Sequence, residues 1–251
     1  MNYLIAIISA AVIARLAHST TEMRNSSLSA YIFAVLYILA RLAFPVSFGD
    51  HCGEMIHLCQ LLFILSFFAL FSEGNSYCPT TLSESVNSFI TFMMPGIATL
   101  FLPMLFWFIP VYLCSQVMLR TLTPKSILAA GLGILVPWAW KWGLDGLQIF
   151  SIPDFRGSVA PSFSPLWASI VLLAIYIIGV WHFYRKMYFD KSHTRVVYQV
   201  IMFFGLATFI MLFILVLSMG KDIVTPGFLM LYFIAIIPTT LLISRMADRM
   251  I

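Results

Sequence analysis

Nearly continuous runs of apolar residues, separated by short polar connections, make up most of this chain. Each run is long enough to be compared with a bilayer, which an α-helix of about 20 residues crosses. Because a single helix satisfies its own backbone hydrogen bonds in lipid, we predict that every run is a helix. The predicted runs are residues 3–17, 28–47, 55–72, 87–102, 103–119, 126–142, 165–184, 196–219 and 227–244.

The composition is typical of a membrane protein and excludes a soluble one. Hydrophobic residues make up 61% of the chain and charged residues 10%, whereas about a quarter of the residues in a soluble domain are charged. A chain of 251 residues has room for one bundle of such helices. We therefore predict an all-α fold, a polytopic transmembrane helical bundle of about nine spans, with residues 1–251 as a single integral membrane domain.

The division of residues 87–119 into two runs is the least direct of these assignments. No charged residue marks the turn at Leu102 and Pro103, and Pro95 and Pro110 interrupt the two flanks. The segment is either two short spans or one broken, re-entrant element. A straight helix of this length would reach about 50 Å, well beyond a hydrocarbon core of about 30 Å. We therefore prefer two spans, and whether the first run of the chain spans fully stays open.

The basic residues predict the orientation, because lysine and arginine resist translocation and collect on the cytoplasmic side. With nine spans and an external N-terminus, the cytoplasmic side receives Arg15, Arg24, Arg120, Lys125, Arg185, Lys186, Lys191, Arg195, Arg245 and Arg249. The outside receives Lys141, Arg156 and Lys221, and Arg41 lies within a span. We therefore expect a multi-pass protein of the cell inner membrane with an external N-terminus and a cytoplasmic C-terminus.

The densest group of reactive side chains lies in the segment Asp50–Cys59, at the start of the third run. Glu54 and His57 are one helical turn apart, and Arg41 of the preceding helix comes within reach of Asp50 or Glu54. We prefer to interpret this segment as a polar helix entrance with a capping Asp50 and an Arg41 that extends to the interface. The alternative is an ion-paired or ligand-binding site formed by Arg41, Asp50, Glu54 and His57.

Metal binding by this segment is not expected. Imidazole, thiolate and carboxylate groups are metal ligands, but their spacing here matches neither C-x-x-C nor H-E-x-x-H. We therefore predict no metal, no cofactor and no catalytic residues. Apart from Arg41, no ionisable residue lies clearly within a predicted membrane core, whereas ion-coupled carriers usually need one.

A second polar segment, from Arg185 to Arg195, is strongly basic and contains aromatic residues. Because anionic lipid headgroups are attracted to such segments, we expect them near Arg185, Lys186, Lys191 and Arg195. The interpretation that we prefer is a loop that fixes the orientation, which explains the same residues, and the alternative is the docking of a partner. The net charge of +4 does not indicate nucleic-acid binding, since the basic residues are scattered at helix ends and form no patch or stripe.

Small residues and prolines indicate where helices pack or bend. Ala129, Ala130, Gly131 and Gly133 give the sixth run a small-residue patch, at which we predict the close approach of a neighbouring helix. Prolines within apolar runs are interpreted as kinks, although in a transporter they free carbonyls for an ion or substrate. These prolines are Pro45, Pro95, Pro110, Pro137 and Pro238.

Four motifs carry a resemblance that extends from about residue 89 to the C-terminus. They are PMLFWFIP (Pro103–Pro110), LRTLTPK (Leu119–Lys125), GLGILVPW (Gly131–Trp138) and IAIIPTTLLIS (Ile234–Ser244). In these motifs the chain resembles a family of uncharacterised bacterial multi-pass inner-membrane proteins. The resemblance implies a multi-pass helical fold without an assigned activity, so it transfers no functional residues.

Three functions are compatible with the sequence. The first, which we expect, is a non-enzymatic envelope-assembly component or membrane-complex subunit with a membrane-protein partner, since no catalytic pattern is found. The second is a carrier or flippase for a lipid-like or amphipathic substrate, with a path along the proline-containing helices and Arg41. The third is a membrane glycosyltransferase of the lipid-linked-sugar type, which needs an external acid such as Asp50, Glu54, Asp145 or Asp154 as its base.

Overall fold

Helices account for almost all of the described residues in the computed structural model, which describes 2–21, 26–44, 49–72, 81–146, 164–186, 192–219 and 224–248. Within these ranges the α-helices are α1 (Asn2–Thr21), α2 (Ser26–Ala43), α3 (Gly49–Ser72), α4 (Thr81–Phe101), α5 (Phe108–Leu119), α6 (Pro124–Gly146), α7 (Pro165–Lys186), α8 (Ser192–Met219) and α9 (Pro226–Asp248). A 3₁₀ helix, Pro103–Trp107, leads directly into α5. The all-α prediction is confirmed, and each predicted apolar run coincides largely with a helix.

Three helices of the described chain are long and apolar enough to cross a membrane. These segments are Pro165–Arg185 in α7, Thr194–Ser218 in α8 and Pro226–Asp248 in α9. Other apolar helical segments are shorter, as in Pro103–Leu119, which would reach only about 26 Å as an ideal α-helix. Among the described residues, helix length and hydropathy therefore support three spans, fewer than the predicted nine.

The chain leaves α4 at Leu102, a break that both the two-span and the broken-element interpretations predict. Leu102 has an extended backbone (φ −132°, ψ 93°), and Pro103 begins the 3₁₀ helix. A proline disfavours helical backbone in the residue before it, which explains the break at this position. Pro110 lies in the first turn of α5, where a missing N–H costs little. Three further prolines are inside helices, namely Pro95, Pro137 and Pro238.

The described chain forms two compact units, and the first comprises Met1–Gln60 and Arg156–Ile251. Its central element is α9, which packs against α2, α7 and α8 and has 94% of its most apolar segment buried. Aromatic side chains fill the α2–α9 contact, where the Phe44 ring lies 5.3 Å from both Phe228 and Tyr232. The core of unit 1 is therefore a helix that other helices enclose.

Two glycines allow α7 to pack closely in unit 1. A Cβ atom on Gly179 of α7 would lie 2.9 Å from the Leu242 Cβ of α9. A Cβ atom on Gly205 of α8 would lie 2.5 Å from the ring of Tyr176, whose hydroxyl donates a hydrogen bond to the Met202 carbonyl. A larger side chain at Gly179 would push α7 away from α9, and one at Gly205 would displace the Tyr176 ring.

The second unit comprises Leu61–Phe155, and its closest helix pair is α4 with α6. A Cβ atom on Gly133 of α6 would lie 2.6 Å from the carbonyl oxygen of Phe89. Gly96 of α4 faces the same contact, because a Cβ atom there would lie 3.3 Å from the Gly133 oxygen. Around Gly131 there is nothing within 4 Å of the corresponding position. The predicted close approach at the small-residue patch is thus confirmed at Gly133, whereas Gly131 points away from it.

Candidate functional site

His57, one of the candidate residues from the sequence, is buried in unit 1 and contacts Tyr37. The Tyr37 hydroxyl of α2 is 3.2 Å from Nδ1 and 3.3 Å from Nε2 of His57 in α3. It can donate to whichever of these nitrogens carries no proton. His57 is 1% exposed and Tyr37 6% exposed, so this contact is shielded from solvent.

Helix α9 contacts the same residues through Phe233. Its ring centroid lies 5.2 Å from the His57 ring in an edge-on arrangement and 5.4 Å from the Tyr37 ring. Its carbonyl oxygen accepts a hydrogen bond of 3.4 Å from Nε2 of Gln60, one turn after His57. We use the term polar cluster for Tyr37, His57 and Gln60, which join α2, α3 and α9.

Arg41 lies beside the polar cluster, one helical turn after Tyr37 on α2. Its side chain is half-buried. A half-buried guanidinium next to a polar cluster agrees with the expectation that Arg41 faces protein or an interface. Arg41 and His57 thus belong to the same region of unit 1, whereas the partners that the sequence predicted for Arg41 are Asp50 and Glu54.

The other two candidate residues, Asp50 and Glu54, are placed only by their backbone. Both belong to the first two turns of α3, and their side chains lie outside the described residues. The pairing of Arg41 with Asp50 or Glu54 therefore stays a prediction. Among the residues that the structure describes, no three His, Cys, Asp or Glu side chains are grouped to hold a metal, but His51 and Cys52 also fall outside that set.

The chemistry open to the polar cluster is limited by its enclosure. An imidazole hydrogen-bonded to a phenol can pass a proton, as in general acid–base catalysis. However, the Phe33 and Phe233 rings pack on Tyr37, with centroids 6.0 and 5.4 Å away, and His57 is almost completely buried. Buried polar groups that satisfy one another mainly specify how helices pack, and this cluster is suited to holding α2, α3 and α9 together.

Sequence reasoning identified Arg41 and His57 but missed Tyr37, Gln60 and Phe233. Tyr37 precedes Arg41 by four residues, and Gln60 is the one amide in an otherwise apolar stretch. Both features are visible in the sequence, but they do not show which residue of another helix each one meets. Phe233 carries no signal at all, since α9 contains many similar apolar residues.

A separate set of buried hydrogen bonds holds unit 2 together. Nε2 of Gln116 in α5 donates to the Ser88 hydroxyl of α4 at 2.8 Å. The Ser66 hydroxyl of α3 donates to the Thr91 carbonyl at 2.6 Å. The Trp138 indole N–H of α6 donates to the Thr99 hydroxyl at 3.1 Å. These bonds fix α3, α5 and α6 to α4, and none of them was predicted.

Comparison of the chain with known protein families, with curated proteins and with solved structures finds no match. The resemblance to uncharacterised bacterial inner-membrane proteins therefore rests on its four motifs. The function must be argued from the two units themselves.

Proposed function

We propose that this chain is a non-enzymatic, multi-pass protein of the inner membrane that works by binding another membrane protein, as a subunit or assembly component of an envelope complex. Its N-terminus is external, its C-terminus is cytoplasmic, and its shorter apolar helices add to α7, α8 and α9 to give about nine spans. The asymmetry of the basic residues supports this orientation. The enclosure of the polar cluster supports a role without catalysis.

The observation that carries this proposal is the outward face of α6, which we define as Leu128, Gly131, Leu135 and Trp142. Leu128, Leu135 and Trp142 recur at intervals of seven residues and are 68%, 58% and 66% exposed. Gly131 lies between them with nothing within 4 Å of its Cβ position. A glycine flanked by large apolar residues at this spacing is typical of helix–helix contacts in membranes. Gly133 is already in contact with α4, whereas Gly131 is open to contact with a partner helix.

Site-specific photo-crosslinking in intact cells tests this proposal. A photoreactive phenylalanine derivative at Leu128 should give one discrete protein adduct, because the partner helix would lie against this face. The same derivative at Ile178 of α7, which is 55% exposed, serves as the matched lipid-facing control. Gly131→Leu should abolish the adduct at Leu128, since the larger side chain keeps a partner helix at a distance.

Two results of this experiment would contradict the proposal. One is the absence of any protein adduct at Leu128 in cells that express the chain at its natural level. The other is an adduct that persists unchanged with Gly131→Leu, which would show that contact at Leu128 does not use the outward face of α6.

A carrier for a lipid-like substrate is the second candidate, and one feature of unit 2 favours it. A shallow groove of about 510 Å³ lies between α4 and α6, and its lining includes Phe89, Leu132, Ser85 and Lys125. An apolar groove that ends at a hydroxyl and an ammonium group suits an acyl chain with a polar head. The enclosed α9 favours the binding role over the carrier, because transport needs a path through the helices.

A further inference from the structure

Within unit 1, Tyr198 is a neighbour of two arginines, Arg195 near the start of α8 and Arg245 near the end of α9. Arg245 of α9 lies over the ring of Tyr198 in α8, with 5.9 Å between the guanidinium carbon and the ring centroid. Arg195 precedes Tyr198 by three residues and therefore lies on the same side of α8. The Phe183 ring of α7 packs on Tyr198 from 5.0 Å and supports this arrangement.

Arg195 needs an acceptor that the described part of the chain does not provide. Its Nε atom is buried and makes no hydrogen bond with any residue that the structure describes. Arg195 also lies in the first turn of α8, where the helix dipole favours an anion and disfavours a cation. A guanidinium in such a position is unfavourable unless an anion lies beside it.

Among the described residues of the site, the positive charges outnumber the negative ones. Asp248 is the acid next to Arg245, with 3.9 Å between its Oδ2 and Nη1 of the arginine. The two side chains are only 7% and 16% exposed, but at 3.9 Å the contact is a long ion pair without a hydrogen bond. Among the residues that the structure describes, no acid forms an ion pair with Arg195, so its positive charge has no counterion in this part of the chain.

We propose that Arg195 and Arg245 bind the phosphate of an anionic phospholipid, with Tyr198 as the platform between them. Arginine recognises phosphate through parallel N–H donors, which suits two guanidinium groups on one ring. The site lies at the ends of the span segments Thr194–Ser218 and Pro226–Asp248, and this is the depth of lipid headgroups. That position favours a lipid phosphate over a free phosphate ion.

This proposal differs from general attraction of anionic lipid to the basic segment, and the difference can be measured. General attraction contributes about 1 kcal/mol for each basic residue, or about fivefold in lipid preference, wherever that residue lies near the surface. With a specific site, the loss of lipid preference should be much larger on replacement of Arg195 than on replacement of other basic residues. Arg185 is the matched control, because it is exposed and stacks on Trp181 at 5.0 Å, close to the same end of the unit.

The experiment is native mass spectrometry of the full chain, released from nanodiscs that contain equal amounts of phosphatidylglycerol and phosphatidylcholine. Unaltered protein should retain one phosphatidylglycerol in preference to phosphatidylcholine. Arg195→Gln should lower this preference about tenfold or more, as expected for the loss of charge-assisted hydrogen bonds. Arg185→Gln should change it about fivefold or less. Arg195→Lys, which keeps the charge and the fold, should still lose most of the preference.

Three outcomes would overturn the proposal. Equal effects of Arg195→Gln and Arg185→Gln would show general attraction without a site. Full retention of the preference in Arg195→Lys would show that only the charge matters. Displacement of the retained phosphatidylglycerol by millimolar inorganic phosphate would show a site for a free anion.

Discussion

Replacement of Gly133 by alanine should loosen the α4–α6 contact, whereas the same replacement at Gly131 should not. The new Cβ at Gly133 would lie 2.6 Å from the Phe89 oxygen and 3.0 Å from the Met93 nitrogen. Ordinary contacts begin at 3.4 Å, so the shortfall against the oxygen is 3.4 − 2.6 = 0.8 Å. Both atoms belong to the backbone of α4, which cannot move aside as a flexible side chain would.

The magnitude follows from two opposing effects. Overpacking of a well-filled contact costs about 1–3 kcal/mol, and the better helix propensity of alanine returns up to about 1 kcal/mol. The propensity gain is common to both variants and cancels in their comparison. Gly131→Ala should therefore be more stable than Gly133→Ala by about 1–3 kcal/mol, and it should equal or exceed the unaltered protein.

The assay is heat-induced unfolding of the purified protein in mild detergent, followed by tryptophan fluorescence. Trp138 reports directly on this contact, because its indole donates to Thr99 of α4. A difference of 1–3 kcal/mol corresponds to about 2–12 °C between the midpoints of the two variants. Equal midpoints, or a lower midpoint for Gly131→Ala, would refute the packing that we describe.

Two further predictions concern the polar cluster and the orientation. Tyr37→Phe keeps the ring but removes the hydroxyl that contacts His57, so it should lower the free energy of unfolding by about 1–3 kcal/mol. The control is Tyr31→Phe on the same helix, which should have no effect because the Tyr31 side chain is 70% exposed. Equal effects of the two variants would exclude the hydrogen bond. A reporter fused after Ile251 should be active in the cytoplasm, because positive residues collect there; periplasmic activity would reverse the proposed position of every loop.

The positions of the helices could be predicted from the sequence because apolar runs and prolines are local features. The break at Leu102 is an example, since Pro103 disfavours a helical conformation in the residue that precedes it. The choice between Gly131 and Gly133 could not be predicted, because both lie in the same small-residue patch. Only the rotation of α6 against α4 decides which one is in contact.

The candidate site was predicted in part for the same reason. Arg41 and His57 stand out as polar residues next to apolar runs, so the sequence alone identified them. Which residues surround them depends on how α2, α3 and α9 pack. The sequence pattern does not show that Tyr37 and Phe233 are the ones in contact. The enclosure of α9 was also not predicted, since its composition resembles that of α8, which is only 50% buried against 94% for α9.

Cysteine accessibility at Thr240 tests most directly whether unit 1 is filled around α9. Thr240 is fully buried, and the experiment uses a chain in which the four native cysteines are replaced by serine. A water-soluble maleimide applied to open membrane fragments should leave Thr240→Cys unlabelled until detergent denatures the protein. The control is Ser192→Cys, which should be labelled at once because Ser192 is exposed at the start of α8. Rapid labelling of Thr240→Cys in the native membrane would reveal an aqueous path along α9 and would contradict the binding role in favour of a carrier.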